Sequence, residues 1–369
     1  NEDGLFMSDS GYSDYVETVR LITSDFAEKG KPTVNGMNVM FGSATDIAQD
    51  DLVLNLDAAT TLFDSYDSTL RSQAFQIVVS STSIIVTAKG LSGLLSGART
   101  VLQYEITHSG MDYGTYLAVP DSAERSLFLD CGRKYYSVST LKTLIREMYW
   151  CGLNALELHF SEDMGLRLES TLYPWLAKGG DINVFGYDAV TANYTQDENQ
   201  TSVLTQAEMA DVISYAKVYG IEIIPSFDMP GHMNYIVAQY DEYVAANGSL
   251  SFTYDGVSYT ATSANSGAKI GNYFKLNGSF VQYSSHDGTY SRGIDISNDY
   301  ARAFAFSLLE EYAAFFRDNG CTKFNLCADE CLGYSVTMNG TTYTTASTGS
   351  NNLWNCLGHW QSYAVTPLA

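Results

Sequence analysis

The sequence predicts an α/β fold: a small α+β module followed by the first βα units of a (β/α)8 barrel. From about residue 126, apolar runs of strand length alternate with amphipathic helices, which implies right-handed βαβ units and a parallel sheet. Each predicted strand also ends in unusual chemistry. Arg133 follows the first, His159 with Glu162 and Asp163 the second, Asp228 with His232 the third, and Asp329 with Glu330 the fourth. Barrels build their sites on the C-terminal face of the strands, whereas a doubly wound sheet gathers them near one switch point. Before about residue 120 the rhythm is different, with short β-rich runs broken by turn residues. The division expected is therefore 1–122 for the small α+β module and 123–369 for the N-terminal part of the barrel.

In the first part, Ala74 to Val79 and Ser83 to Thr87 flank Ser80-Ser81-Thr82 and read as a hairpin. The segment Gly90 to Gln103 leads from a glycine-spaced turn into a helix, and its glycines do not match the G-x-G-x-x-G spacing of a dinucleotide site. Ala118 to Glu124 reads as a linker. The first barrel strand is Ser126 to Arg133. Its helix carries Leu141, Leu144, Ile145, Met148 and Tyr149 on one face and stops at Gly152. The second strand is Ala155 to Ser161, with a helix that opens on the capping box Thr205-x-x-Glu208 and closes at Gly220. The third is Ile221 to Asp228, with a helix from Asp299 to Asp318, and the fourth is Lys323 to Glu330. Two connections, 170–204 and 232–298, are long enough to shape access to the site.

Composition removes several function classes. Lys plus Arg is 20 against 42 for Asp plus Glu, a net charge of −22, which repels phosphate backbones and anionic headgroups. Neither nucleic acid nor membrane insertion is expected, since no run of eighteen apolar residues occurs. The start, Asn1-Glu2-Asp3-Gly4, lacks the basic-then-apolar order of a signal peptide. Six cysteines without a C-x-x-C pair disfavour a zinc ribbon or a disulfide framework. Aromatics at 13% leave two readings open: stacking platforms for sugars, or additional core and surface tyrosine.

The chemistry-bearing residues are ambiguous one at a time. Adjacent acids at Asp329-Glu330 suit either paired acid–base work or an acid-rich helix start. His159, in an apolar strand, fits a supporting hydrogen-bonded role better than direct catalysis. Glu162 and Asp163 read as a solvated loop or as carboxylates that orient His232 or Arg133. Arg133 suits bidentate bonding to vicinal hydroxyls, or a structural ion pair. A metal hydrolase using His159, Glu162, Asp163 and His232 is disfavoured because no H-E-x-x-H spacing occurs, so no metal or other cofactor is expected.

Taken in order, DCGR at 130–133, LHFSED at 158–163, DMPGH at 228–232 and CADE at 327–330 resemble glycoside hydrolase family 20, the β-N-acetylhexosaminidases and lacto-N-biosidases. The first 120 residues, most clearly SGLLSGARTVLQ at 92–103, are similar to the small domain that precedes the barrel in that family. The resemblance implies retaining, substrate-assisted hydrolysis without an enzyme nucleophile. It makes Asp329 the residue that polarises the 2-acetamido group and Glu330 the general acid and base. By the same resemblance Arg133 grips the sugar hydroxyls, and His232 with Glu162 forms a relay behind Glu330; the family usually has Asp at the position of Glu162. Asp163 could take the relay role, and Asp228 and His159 support.

The partner expected is a glycan ending in β-linked N-acetylhexosamine or, in the alternative, lacto-N-biose. A carbohydrate-binding pseudoenzyme without turnover is the second alternative. Only 39 residues follow Glu330, so the chain is expected to be a fragment, or to pair with a polypeptide that supplies the later half of the barrel. An acidic, Lys-poor chain acting on glycans is expected outside the cell or at its surface.

Overall fold

The computed structural model describes residues 9–29, 51–180, 202–229, 231–262, 271–273, 275–276, 279–280, 292–294, 299–327, 335–338 and 341–344. The chain divides into two compact units. One comprises Asn1–Leu127, Lys142–Ala155 and Ser214–Glu222; the other comprises Phe128–Leu141, Leu156–Ile213 and Ile223–Ala369.

The first unit opens on α1 (Asp9–Glu28), which the β-rich reading of this region did not foresee. A four-stranded sheet follows, built from β1 (Asp51–Leu56), β2 (Phe75–Val79), β3 (Ser83–Ala88) and β4 (Gly114–Ala118) in the order β1-β3-β2-β4. β2 and β3 form the expected antiparallel hairpin, while β1 lies parallel to β3 with Asp51 opposite Ser83. The alternating pattern of β2 sends Phe75, Ile77 and Val79 into a core shared with Val86, Ala88, Leu94 and Val101. The last two belong to α2 (Leu91–His108), whose glycines explain its close approach to the sheet. A Cβ at Gly97 would stand 2.3 Å from Val86 Cγ1, and one at Gly93 would stand 2.4 Å from the Ala74 carbonyl oxygen.

The barrel-type strands are β5 (Ser126–Asp130), β6 (Ala155–Glu162) and β9 (Glu222–Phe227), with β6 between the other two. The Arg125 oxygen accepts from the Asn154 N–H, and farther along the Cys131 N–H donates to the His159 oxygen at 2.8 Å, so the partners advance together as in a parallel pair. Between them lie α3 (Val138–Trp150) and α4 (Gln206–Val218), matching the predicted helices. The capping box is formed: the Thr205 N–H donates to Glu208 at 2.8 Å and the Glu208 N–H donates to the Thr205 hydroxyl at 3.1 Å. After β9 the predicted fourth strand meets the sheet through a parallel bridge at Asn325, whose main chain bonds Pro225 and Phe227. Its continuation from 328 to 330 lies outside the described residues.

Two expectations are corrected. The sheet is not wholly parallel, because β7 (Gly165–Leu166) folds straight back on β6 after the turn at Asp163-Met164, pairs antiparallel, and carries β8 (Gly179–Gly180) beyond it. The connection 232–298 is not simply a loop. It contains α5 (Asn234–Asn247), stopped by Gly248 at φ +80, and a hairpin of β10 (Ser249–Tyr254) and β11 (Val257–Thr262). Asp255 and Gly256, at φ +47 and +72, supply the two left-handed residues such a tight turn requires. The predicted α6 (Asp299–Asp318) packs Phe304 against Tyr173, Tyr240 and Phe252. Tyr173, Tyr235, Tyr240 and Tyr312 are all buried, so much of the aromatic excess builds this core.

Candidate active site

The C-terminal ends of β5, β6 and β9 bring together six of the eight residues singled out from the sequence: Arg133, His159, Glu162, Asp163, Asp228 and His232. Asp329 and Glu330 lie outside the described residues. At the end of β5 the chain turns so closely past β6 that both the Cys131 and Gly132 N–H groups donate to the His159 carbonyl, at 2.8 and 2.9 Å. A Cβ at Gly132 would stand 2.7 Å from Glu162 Cβ and 2.9 Å from its nitrogen, so glycine is required there. This contact fixes where the Glu162 side chain starts.

Glu162 is the hub. Its side chain is 4% exposed; Oε1 lies 2.5 Å from Arg133 Nη2 and Oε2 lies 3.2 Å from His232 Nδ1. Asp163 Oδ2 is 3.3 Å from the same imidazole nitrogen, so both carboxylates face His232 and the choice between them dissolves. The Asp163 N–H donates to Glu162 Oε2 at 2.8 Å. Burial pushes the Glu162 carboxyl up, but the hydrogen bonds of His159 and His232 outweigh it and hold the group well below the usual carboxylate range. Burial likewise works against the His232 imidazolium, and the paired carboxylates of Asp163 and Glu162 overcome it, pushing the group up to about 11. His232 sits at φ +49, a left-handed backbone that costs a non-glycine residue about 1 kcal/mol.

Arg133 joins the two readings left open for it. Nη1 bonds Asp130 Oδ2 at 2.8 Å and its own N–H bonds Asp130 Oδ1 at 2.9 Å, so it is held in ion pairs. Yet its side chain is 51% exposed, and one edge of the guanidinium can still meet a ligand. His159 is buried, with Nδ1 2.8 Å from Ser226 Oγ and Nε2 3.8 and 3.9 Å from Glu162 and Asp228, a supporting position beneath the site. Asp228 is buried beside it, its N–H donating to Ser161 Oγ at 2.8 Å.

Among the described residues, two groups of ligand-type atoms come within 4.8 Å of one another, His159 with Glu162 and Asp228, and Glu162 with Asp163 and His232. Both use Glu162, whose Oε1 already carries the Arg133 guanidinium, and a divalent cation there would face that fixed positive charge. Sequence reasoning missed Ser161, Ser226 and the buttressing Gly132. A serine on an apolar strand carries no signal of what it will face, whereas Gly132 beside two strand-end charges is a readable mark of close backbone approach.

A family model described as "Glycosyl hydrolase family 20, catalytic domain" matches residues 124–360. The chain belongs to that family. Among family 20 relatives, the β-hexosaminidase of Akkermansia muciniphila is 25% identical over 186 residues, covering 49% of this chain and 36% of the relative. The β-N-acetylhexosaminidase of Cellulomonas fimi is 26% identical over 200 residues, covering 52% and 37%. The matched stretch thus spans little more than a third of the length of these two relatives. Among solved structures, the family 20 β-N-acetylhexosaminidase of Streptomyces coelicolor A3(2) aligns with a TM-score of 0.56 at 19% identity, over 95% of this chain and 58% of that one. The chitobiase of Flavobacterium johnsoniae aligns at 0.59 and 18%, over 96% and 45%. These likenesses bear on fold and support an α/β, barrel-like architecture.

Proposed function

We propose that the chain carries the N-terminal part of a family 20 active site that removes β-linked N-acetylhexosamine from non-reducing ends by retaining, substrate-assisted hydrolysis. The observation that carries this reading is Glu162, a buried carboxylate held ionised between Arg133 and His232 at the ends of parallel strands. In the proposed reaction the 2-acetamido oxygen of the sugar attacks its own anomeric carbon, and intramolecular proximity supplies the effective concentration. Asp329 holds the acetamido N–H. Glu330 protonates the leaving oxygen and then takes a proton from the attacking water. Arg133, oriented by Asp130 and Glu162, presents its exposed edge to the sugar hydroxyls. His232, kept cationic by two carboxylates, supplies a fixed positive charge at the strand ends, and the family resemblance assigns it to a relay with Glu330.

The proposed domain division remains 1–122 and 123–369, supported by a family match that begins at residue 124. The fold proposed for the second part is the opening half of a (β/α)8 barrel. Its later strands would come from a longer chain or a second polypeptide, a reading supported by the greater length of the relatives. The glycan-directed chemistry and acidic composition favour an exported protein.

A second reading, release of the disaccharide lacto-N-biose, is favoured by the two long connections, 170–204 and 232–298, which could wall a deeper pocket. Product analysis separates the two. Incubation with lacto-N-tetraose and separately with a terminal β-N-acetylglucosaminide should release N-acetylglucosamine from the second only. Lacto-N-biose from the first would establish the deeper pocket, and no product from either substrate, with the rest of the barrel supplied, would favour a binding protein without turnover.

A further inference from the structure

Cys327 stands two positions before Asp329, in a backbone conformation that an ordinary side chain rarely adopts, φ +50. Its N–H donates to Asn325 Oδ1 at 2.9 Å. Asn325 is itself anchored through Nδ2 to Glu157 Oε1 at 2.7 Å and through its main chain to Pro225 and Phe227. The turn aims the thiol inward. Cys327 Sγ lies 2.8 Å from Ser226 Oγ and 3.6 Å from His159 Nδ1, and Ser226 Oγ lies 2.8 Å from that same imidazole nitrogen. A thiol, a hydroxyl and an imidazole are therefore in mutual contact, with Ser226 fully buried and Cys327 half-buried. None of the roles proposed for hydrolysis uses the thiol. An imidazole within reach of a thiol, with a hydroxyl that can pass a proton between them, is the setting in which cysteine becomes a nucleophile.

We infer that Cys327 is a covalent modification site for small disulfides, and that thiolation there disables the site it borders. The Cys327 S–H proton passes to His159 Nδ1 through Ser226 Oγ, which lies 2.8 Å from each. The sulfur then attacks one sulfur of R–S–S–R, the S–S bond breaks, a Cys327 Sγ–S–R bond forms, and the leaving R–S⁻ takes up the proton. The added group is larger than a proton, so Sγ must leave Ser226. That takes Sγ away from both Ser226 Oγ and Nδ1 of the ring whose Nε2 faces Glu162 and Asp228. The loss of turnover rests on the hydrolase reading; the reaction at sulfur does not.

The full chain provides internal references, since Cys131 is buried, with its thiol pushed up by burial, and Cys151 is exposed. Treatment with 2-hydroxyethyl disulfide, followed by peptide mass spectrometry over time, gives an initial rate at each cysteine. The folded protein should label Cys327 about tenfold faster than the more exposed Cys151, and dithiothreitol should reverse it. In guanidinium the ratio should collapse towards one. Labelling of Cys327 at or below the rate of Cys151 in the folded protein would overturn the proposal. So would an unchanged ratio in a folded Ser226→Ala variant. A protein with the barrel complete that labels as expected yet shows no turnover before treatment would sink the hydrolase reading and leave the modification site standing.

Discussion

Glu162 takes Arg133 on one oxygen and faces His232 on the other, and this pairing has a definite pH signature. The depressed Glu162 carboxyl contributes stability that is fully present above the unfolded value of 4.5 and is lost as pH falls through the folded one. The raised His232 contributes stability that is fully present below the unfolded value of 6.5 and is lost as pH rises towards about 11. Both contributions are complete between 4.5 and 6.5. Unfolding experiments on the native chain and Glu162→Gln should therefore differ most in that window, with the gap narrowing as pH rises beyond it; a constant gap would show that the pair is not coupled. For Glu330, proposed as the acid, Glu330→Gln should cut turnover of substrates with poor leaving groups by roughly 10²–10⁴-fold, the range of general acid catalysis. Activated aryl glycosides should be hit much less, and equal losses on both would remove Glu330 from that role. Of these residues the sequence showed the types and their order but not the pairing. Nothing in LHFSED states that both Glu162 and Asp163 reach one imidazole, because that depends on the turn into β7.

At the scale of elements, the site is set by how tightly β5 ends against β6. Gly132→Ala would place a methyl group against the Cβ and nitrogen of Glu162, atoms with no flexible end to move aside. We expect a cost of about 1–3 kcal/mol, the range for overpacking, with Glu162 displaced from Arg133. Thermal unfolding and substrate affinity should both fall, and an unaltered melting temperature would refute the close approach. The helices α3, α4 and α6 were legible because caps, glycine stops and apolar periodicity agreed with one another. The hairpin β10–β11 has a legible turn signal too: Asp255-Gly256 lies between the runs Ser249–Tyr254 and Val257–Thr262. Its Ser- and Thr-rich strands resemble loop by composition. The fold-back at β7 had no comparable signal, since a two-residue strand carries no periodicity.

At the scale of the whole molecule, a net charge of −22 works against any polyanionic partner. The ligand-type clusters around Glu162 make metal dependence a fair question at this scale. Because Arg133 occupies one face of Glu162, exhaustive dialysis against a chelator should leave turnover unchanged, and loss restored by a divalent ion would reject the mechanism proposed here. The fold class was readable because four strand ends delivered charge in order; the Ser226, His159 and Cys327 contact was not, since it depends on the register of three strands, which no local pattern states. In the proposed reaction the substrate's own acetamido group does the nucleophilic work. A direct test compares hydrolysis of an aryl β-N-acetylglucosaminide with that of the aryl β-glucoside carrying the same leaving group. Turnover of the first and none detectable of the second is expected, whereas comparable rates on both would contradict acetamido participation.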